Sequence, residues 1–390
     1  MDLNVFSPEF IADPYPTYDE LRAAGRPVKN GMFGFWMVTT HSQVSSILKD
    51  PAHFSSAAMG NIGRVGEAFA AESMAAADPP DHARLRNTVQ RAFTPKAVND
   101  LYSFTESLAK ELLADIEPGT PFDLLTTMAD TLPLRVISKM MGVAGGDEDA
   151  FREYANALVL GNGITASPEE ADAAVAATWA LRDYFAGVVA ERRNAPADDL
   201  VSGLVKANSD GNLTESELVA TCIFFLFAGI ETTTNLIVNA ALALTEFPEQ
   251  HARLEAETET LMSSAVEEFL RFCGPPQANL RTAVEDVDIS GSQISKGDPI
   301  LLLLGCANRD ESVFQHANQL ILDRDPNPHV GFSFGPHYCL GASLARLEVN
   351  VALRHLLERA PGFRRANPEE PMAYRGGFFI RSVEKLDLVY

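Results

Sequence analysis

Apolar positions recur along most of this chain with a helical period, and only a few short stretches alternate with a period of two. Leu218 to Ile230 is apolar nearly all round, which marks a helix buried on every face. Thr214-Glu215-Ser216-Glu217 in front of it reads as a capping box, and Pro248 closes it. The pattern predicts one helix of roughly thirty residues, spanning roughly 45 Å. A second amphipathic run covers Ala342 to Leu357, and a third Glu259 to Phe272. Residues 96 to 206 are helical by period, with breaks at Gly119, Gly145-Gly146 and Pro168, and Gly161-Asn162-Gly163 joins two helices where a lid could form. Shorter helices are predicted from Asp13-Pro14-Tyr15-Pro16 to Ala24, over His41 to Lys49, and from Asp78-Pro79-Pro80-Asp81 onward, where proline and acid mark a first turn. The alternating stretches Phe35–Thr39, Leu280–Val284, Val287–Ser290 and Pro299–Leu304 read as strands. Residues 54 to 77, rich in alanine, glycine and serine, read as a flexible segment with a broken helix facing a substrate. The end of the chain, from Tyr374 to Tyr390, reads as a terminal hairpin. The fold class is mainly α with a small β-region.

Composition narrows this picture. The chain has 390 residues, 46% of them hydrophobic, enough for a large core in two domains or one; we expect a single domain over residues 1–390. A net charge of −22, from 53 acidic and 31 basic residues, argues against nucleic acid as a partner. No run approaches the roughly 18 uninterrupted apolar residues of a membrane span, and Met1-Asp2-Leu3-Asn4 has no basic region or apolar signal core. The four cysteines, Cys222, Cys273, Cys306 and Cys339, are far apart and form no Cys-x-x-Cys pair, so no disulfide framework is expected and a reducing cytoplasm is the natural location.

Three places carry chemistry. In Phe332-Ser333-Phe334-Gly335-Pro336-His337-Tyr338-Cys339-Leu340-Gly341 a single cysteine sits in a glycine-bounded turn just before a helix. A helix N-terminus favours thiolate over thiol, which suits a nucleophile or a metal ligand; a lone cysteine is otherwise most often a small buried hydrophobe. At the centre of the long buried helix, Glu231-Thr232-Thr233-Thr234-Asn235 demands an explanation. Either the threonines bond back to their own helix, or Gly229 lets the helix open against a ligand while Glu231 and Thr232 manage water and protons. Finally, His82 and Arg86 share one helix face. A solvated basic face is the ordinary explanation for such a pair.

Taken in order, these stretches resemble the cytochrome P450 family. Its haem-ligand loop, Phe-Gly-x-Gly-x-His-x-Cys-x-Gly, is matched at Phe332, Gly335, His337, Cys339 and Gly341. Ser333 departs from the usual glycine and puts the local turn geometry in question, since serine tolerates positive φ poorly. Ala228-Gly229-Ile230-Glu231-Thr232 resembles the family's oxygen-activation motif, and Asp78 through Pro95 its third helix. Glu268-Phe269-Leu270-Arg271 resembles its Glu-x-x-Arg motif, with Arg324 of Asp323-Arg324-Asp325-Pro326 as third partner, and Asn308-Arg309-Asp310 also fits.

The resemblance covers the chain from about residue 13 to its end and implies a haem-thiolate monooxygenase. Haem b (iron protoporphyrin IX) would lie between the long helix and the cysteine-loop helix, with Cys339 as iron ligand. His82, Arg86 and Arg281 would reach the haem propionates, and Ala228, Gly229, Phe332, His337 and Gly341 would border the ring. Glu231 and Thr232 would relay protons to oxygen, and Glu268, Arg271 and Arg324 would form a structural network. Gln277, Ala278, Asn279 and Phe378 would shape the substrate pocket. The implied reaction is hydroxylation or epoxidation of a small organic substrate, in specialised metabolism such as polyketide, terpenoid or peptide biosynthesis. No Gly-x-Gly-x-x-Gly follows a strand, so electrons would come from a ferredoxin and its reductase, docked on Arg84, Arg91 and Lys96. Three alternatives are a relative performing oxidative coupling or peroxide-driven chemistry, a non-catalytic haem sensor, and a zinc site of His329, His337 and Cys339. The zinc site lacks paired ligand spacing.

Overall fold

A computed structural model describes residues 1–61, 72–143, 145, 148–161, 166–375 and 378–390. The middle of the 54–77 segment, the 162–165 joint and Gly376-Gly377 lie outside the described residues. On either side of that middle, Phe54–Ser55 is a strand, and Ala57–Asn61 and Met74–Ala76 are short 3₁₀ helices.

The helices that matter for the site are α1 (Tyr15–Ala23), α2 (His41–Leu48), α3 (Asp81–Val89), α4 (Thr131–Met141), α5 (Pro168–Asn194), α6 (Glu215–Glu246), α7 (Thr258–Phe272) and α8 (Ala342–Arg359). The long helix α6 starts as its sequence requires: the Thr214 side chain accepts from the Glu217 N–H, and Glu217 answers to the Thr214 N–H. It is long and apolar enough to cross a membrane, yet 67% of its most apolar stretch is buried inside the fold. Leu218, Ile223, Leu226, Ile237 and Leu244 join residues of α4, α7 and α8 in the largest hydrophobic cluster. Burial of so many branched side chains, at about 25 cal/mol per Å² of apolar surface, makes α6 the axis of the core.

The β-region is small. Five strands, β1 (Val28–Lys29), β2 (Trp36–Val38), β3 (Phe54–Ser55), β4 (Ala278–Ala283) and β5 (Pro299–Leu303), lie in the order β1-β2-β5-β4-β3. Only β2 and β5 run parallel, with Trp36 opposite Ile300. This sheet presents β4, and with it Asn279 and Arg281, to the space beneath α6.

The C-terminus departs from the expected single hairpin. Tyr374–Arg375 does pair with Ser382–Val383, but Asp387–Val389 leaves it to pair with Phe122–Asp123 and Arg364–Arg365. Leu388, fully buried, anchors that last strand in the main core.

Behind the cysteine loop, Glu268 and Arg271 of α7 form an ion pair with both side chains fully buried, at 2.7 and 2.8 Å. Arg324 Nε donates to Glu268 at 3.0 Å, and the Ile321 N–H and Asn327 Nδ2 also reach its carboxylate. Arg271 spends its other donors on the carbonyls of Asn308, Ala317 and Gln319. A buried pair is tolerated only when its remaining hydrogen-bonding groups are satisfied this fully. The network pins the irregular chain before the cysteine loop to α7.

Candidate active site

One cavity of about 460 Å³ lies between α6 and the loop that precedes α8. Cys339, Leu340 and Gly341 line one wall, and Ala228, Gly229, Glu231, Thr232 and Thr233 the wall across from it. The loop is set by two unusual residues. Gly335 has φ +70°, and a Cβ there would fall 2.6 Å from the carbonyl of Leu48, so this position admits only glycine. Ser333 has φ 61° despite carrying a side chain, and its hydroxyl is buried without a partner. The turn therefore keeps the left-handed geometry although serine fills it. Cys339 N–H donates to the Phe332 carbonyl at 2.9 Å, closing the loop.

Of the four free cysteines, Cys339 alone lines the cavity. Burial pushes its thiol pKa up, against the Gly341 N–H and the charges of Arg86 and Arg346, which pull it down. The Gly341 N–H at the start of α8 acts in the direction expected from sequence, with burial acting against it. Desolvation raises the thiol, and a metal cation bound at the sulfur would favour the thiolate.

The guanidinium groups of Arg86 and Arg281 and the imidazoles of His82 and His337 gather on the same cavity. The two imidazoles stack with centroids 4.0 Å apart. Burial lowers all four; mutual repulsion adds to the effect at both histidines, bringing His337 to about 3, while Arg281 falls to about 10. Arg281 Nη1 is used by Asn279 Oδ1 and the Leu280 carbonyl, but its buried Nη2 has no partner. Such a cluster is in want of carboxylates. Haem would fit this need: its two acidic groups would suit Arg281 Nη2 and its basic neighbours, its flat ring the open space in front of Gly341, where an added Cβ would meet nothing within 4 Å, and its iron the Cys339 sulfur.

On the opposite wall α6 stays helical throughout and does not open at Gly229. A Cβ at Gly229 would make ordinary contact with Ile137 of α4 at 3.4 Å. Thr232 Oγ1 donates to the Ala228 carbonyl at 2.9 Å, Asn235 Nδ2 to the Glu231 carbonyl at 2.8 Å, and Thr234 Oγ1 across to the Ala129 carbonyl at 2.8 Å.

Phe332, Ala278 and Asn279 also line the cavity, whereas Gln277 and Phe378 do not. Gln277 is buried behind the wall, between the Tyr18 hydroxyl and the Gly274 carbonyl. Phe378 packs on Phe6 and Phe10 near the N-terminus, and its successors Phe379 and Ile380 take the cavity wall. Phe378 lies in a turn and Gln277 between an isolated bridge and β4, where the direction of a side chain is set by packing against distant chain and not by a local pattern. Thr233 and Glu348 line the cavity as well. The signal for Glu348 was present in sequence: a carboxylate four residues after Leu344, on the apolar stripe of α8. The three residues of the zinc alternative do not gather, and no group of three metal-ligating side chains is found among the described residues.

Comparison with known proteins agrees with this geometry. The family model described as "Cytochrome P450" matches residues 173–361. The nocardicin C N-oxygenase of Nocardia uniformis subsp. tsuyamanensis is 39% identical, over 99% of this chain and 98% of that protein. The biotin biosynthesis cytochrome P450 of Bacillus subtilis (strain 168) is 35% identical over 98% of each. The crystal structure of P450BioI, in complex with hexadec-9Z-enoic acid ligated acyl carrier protein, superposes with a TM-score of 0.91 at 33% identity, covering 98% of this chain and 100% of that one. Alike along nearly its whole length and folded in the same way, the chain belongs to the cytochrome P450 family, whose members are haem-thiolate monooxygenases.

Proposed function

We propose that this enzyme holds haem through Cys339 and oxygenates a small, largely apolar molecule of specialised metabolism, using electrons from a ferredoxin and its reductase. The observation that carries this reading is the pairing of one half-buried cavity cysteine with two arginines and two imidazoles that have no carboxylate bonded to them among the described residues. His82, Arg86, Arg281 and His337 would hold the haem carboxylates, and Cys339 the iron.

Bound there, haem supplies two-electron reduction of O2 and insertion of one oxygen atom into a C–H or C=C bond, chemistry that thiolate donation favours. The chain does the rest. Met74, Phe93, Phe224, Phe227, Phe379 and Ile380 make the wall that faces substrate, exclude bulk water and select for apolar surface. Asn279 lies on that wall beside Arg281. Its Oδ1 already accepts from Leu280 N–H and Arg281 Nη1, which leaves the amide NH₂ to orient a substrate carbonyl or hydroxyl. Glu231 carries a proton into the cavity, and the Thr232 hydroxyl, once it leaves the Ala228 carbonyl, donates to oxygen.

The name of one relative, nocardicin C N-oxygenase, supports a specialised metabolite as substrate. Exposed Arg91 and Lys96 support an acidic electron donor. So does Lys49, whose Nζ lies 4.9 Å from the ring of Phe334 beside the cysteine loop. Arg84 is less free than the sequence suggested, being held by Glu217 at 2.6 Å and Asp81 at 3.2 Å. The four free cysteines fit a reducing cytoplasm.

Reconstitution with a ferredoxin, its reductase, NADPH and isotope-labelled O2 tests the reading. A candidate that shifts the haem spin state should emerge carrying one labelled oxygen atom. Turnover without incorporated label would point to oxidative coupling instead. Charge reversal at Arg91 and Lys96 should slow reduction while substrate binding is kept.

A further inference from the structure

The histidine of the cysteine loop is held from a distant part of the chain. His337 Nε2 lies 3.1 Å from the hydroxyl of Ser56, the residue that follows β3. Ser56 is 1% exposed, and this is the single hydrogen bond made by its hydroxyl or by that imidazole among the described residues. Ser56 itself is off the cavity wall, whereas His337 lines it. Asp78 fixes the serine in turn. Its Oδ1 accepts from the Ser56 N–H at 2.8 Å, its Oδ2 accepts from the Ser55 hydroxyl, and its carbonyl accepts from the His82 N–H at 2.9 Å. His82 stacks on His337, so a closed circuit runs from Asp78 through Ser56 to His337 and back through His82.

Donors and acceptors in this circuit match in one way only. A neutral imidazole has one N–H and one bare nitrogen, and the hydrogen bond at either nitrogen settles which is which. With hydrogen on Nε2, Ser56 would accept, and its own hydrogen would be buried without an acceptor, which is unfavourable. With the hydroxyl donating to a bare Nε2, both groups are satisfied and the ring hydrogen sits on Nδ1. We propose that Ser56, fixed by Asp78, is a positioning residue for the cofactor: it orients the His337 ring and keeps its hydrogen on Nδ1, where that N–H donates to a haem carboxylate. The inference rests on the haem-thiolate reading above and adds to it a residue that touches neither cofactor nor substrate.

Two measurements on the purified haem-loaded protein test it. Nitrogen NMR of the ferrous carbon monoxide form, carrying isotope-labelled histidine and assigned with His337→Gln, should show His337 protonated at Nδ1 and bare at Nε2. That reading is taken on the wild type and requires no Ser56 variant to fold. Haem release to a scavenging apoprotein is the second measurement. Ser56→Ala should release haem roughly tenfold faster than wild type, as expected for one weakened hydrogen bond to a charged group. In a His337→Gln background the same change should add nothing further, because the effect of Ser56 passes through the histidine. A merely structural role would speed release equally in both backgrounds. Hydrogen on Nε2 in the wild type, unchanged release in Ser56→Ala, or equal acceleration with and without His337 overturns the inference alone. A wild type that takes up no haem overturns the haem-thiolate reading with it.

Discussion

The hydroxyl of Thr232 donates to the carbonyl of Ala228, 2.9 Å away on the same helix, instead of pointing into the cavity it lines. A back-bonded threonine is the ordinary state of that residue in a helix. Catalysis asks it to exchange one neutral hydrogen bond, worth about 1 kcal/mol net, for a better one to reduced oxygen. Thr232→Ala should therefore bind haem and substrate as wild type does, yet form product roughly a hundredfold more slowly while hydrogen peroxide accumulates from the same NADPH. Measured peroxide and product per NADPH decide it; full coupling in the variant contradicts the role.

Glu268 accepts from Arg271, Arg324, Asn327 and the Ile321 N–H. Removing it leaves two buried guanidinium groups without their anion. Glu268→Ala should lose about 3–5 kcal/mol and, with the cysteine loop no longer pinned, much of its haem. Chemical denaturation and haem content report the two effects together.

Ser333 holds φ 61° with its hydroxyl buried and unpaired. Ser333→Gly relieves left-handed backbone strain of about 1–2 kcal/mol and gives part of it back as unfolded-chain entropy. A gain of about 1 kcal/mol is expected, read as a small rise in Tm. A lower Tm would mean that the serine side chain has a favourable partner.

Glu267 bridges Arg346 at 2.5 and 2.8 Å and His329 at 3.0 Å. Burial works to raise its carboxyl, but these partners win and hold it down at about 2. Because the folded value lies below the unfolded one, about 4.3, the stabilisation is present above that value and is lost as pH falls toward about 2. Glu267→Gln should lower Tm at neutral pH, and the gap from wild type should close on acidification. A gap that persists at low pH would mean that the contribution is packing, not charge.

The fold was legible wherever one short-range rule sufficed. The capping box at Thr214–Glu217 and the all-apolar run behind it located α6 to within a residue or two at each end. The polar interruption at Glu231 marked the cavity wall because buried polar groups need a reason to be there. Gln277 and Phe378 were misplaced because the direction of a side chain in a turn or connector depends on packing against distant chain, which no local pattern carries. Glu348 was overlooked because, on a helix, one acid among apolar neighbours is visible only once the stripe is known to face a cavity. The raised thiol of Cys339 shows the same limit: the helix N-terminus can be read from sequence, but the desolvation that acts against it belongs to the packed molecule.

The central claim is that Cys339 holds haem iron as a thiolate. The carbon monoxide difference spectrum of the reduced protein, recorded beside Cys339→Ser, tests it most directly. A strongly red-shifted Soret band in the wild type that disappears in the variant is the predicted result. A protein that takes up no haem, or a band that survives Cys339→Ser, would contradict it.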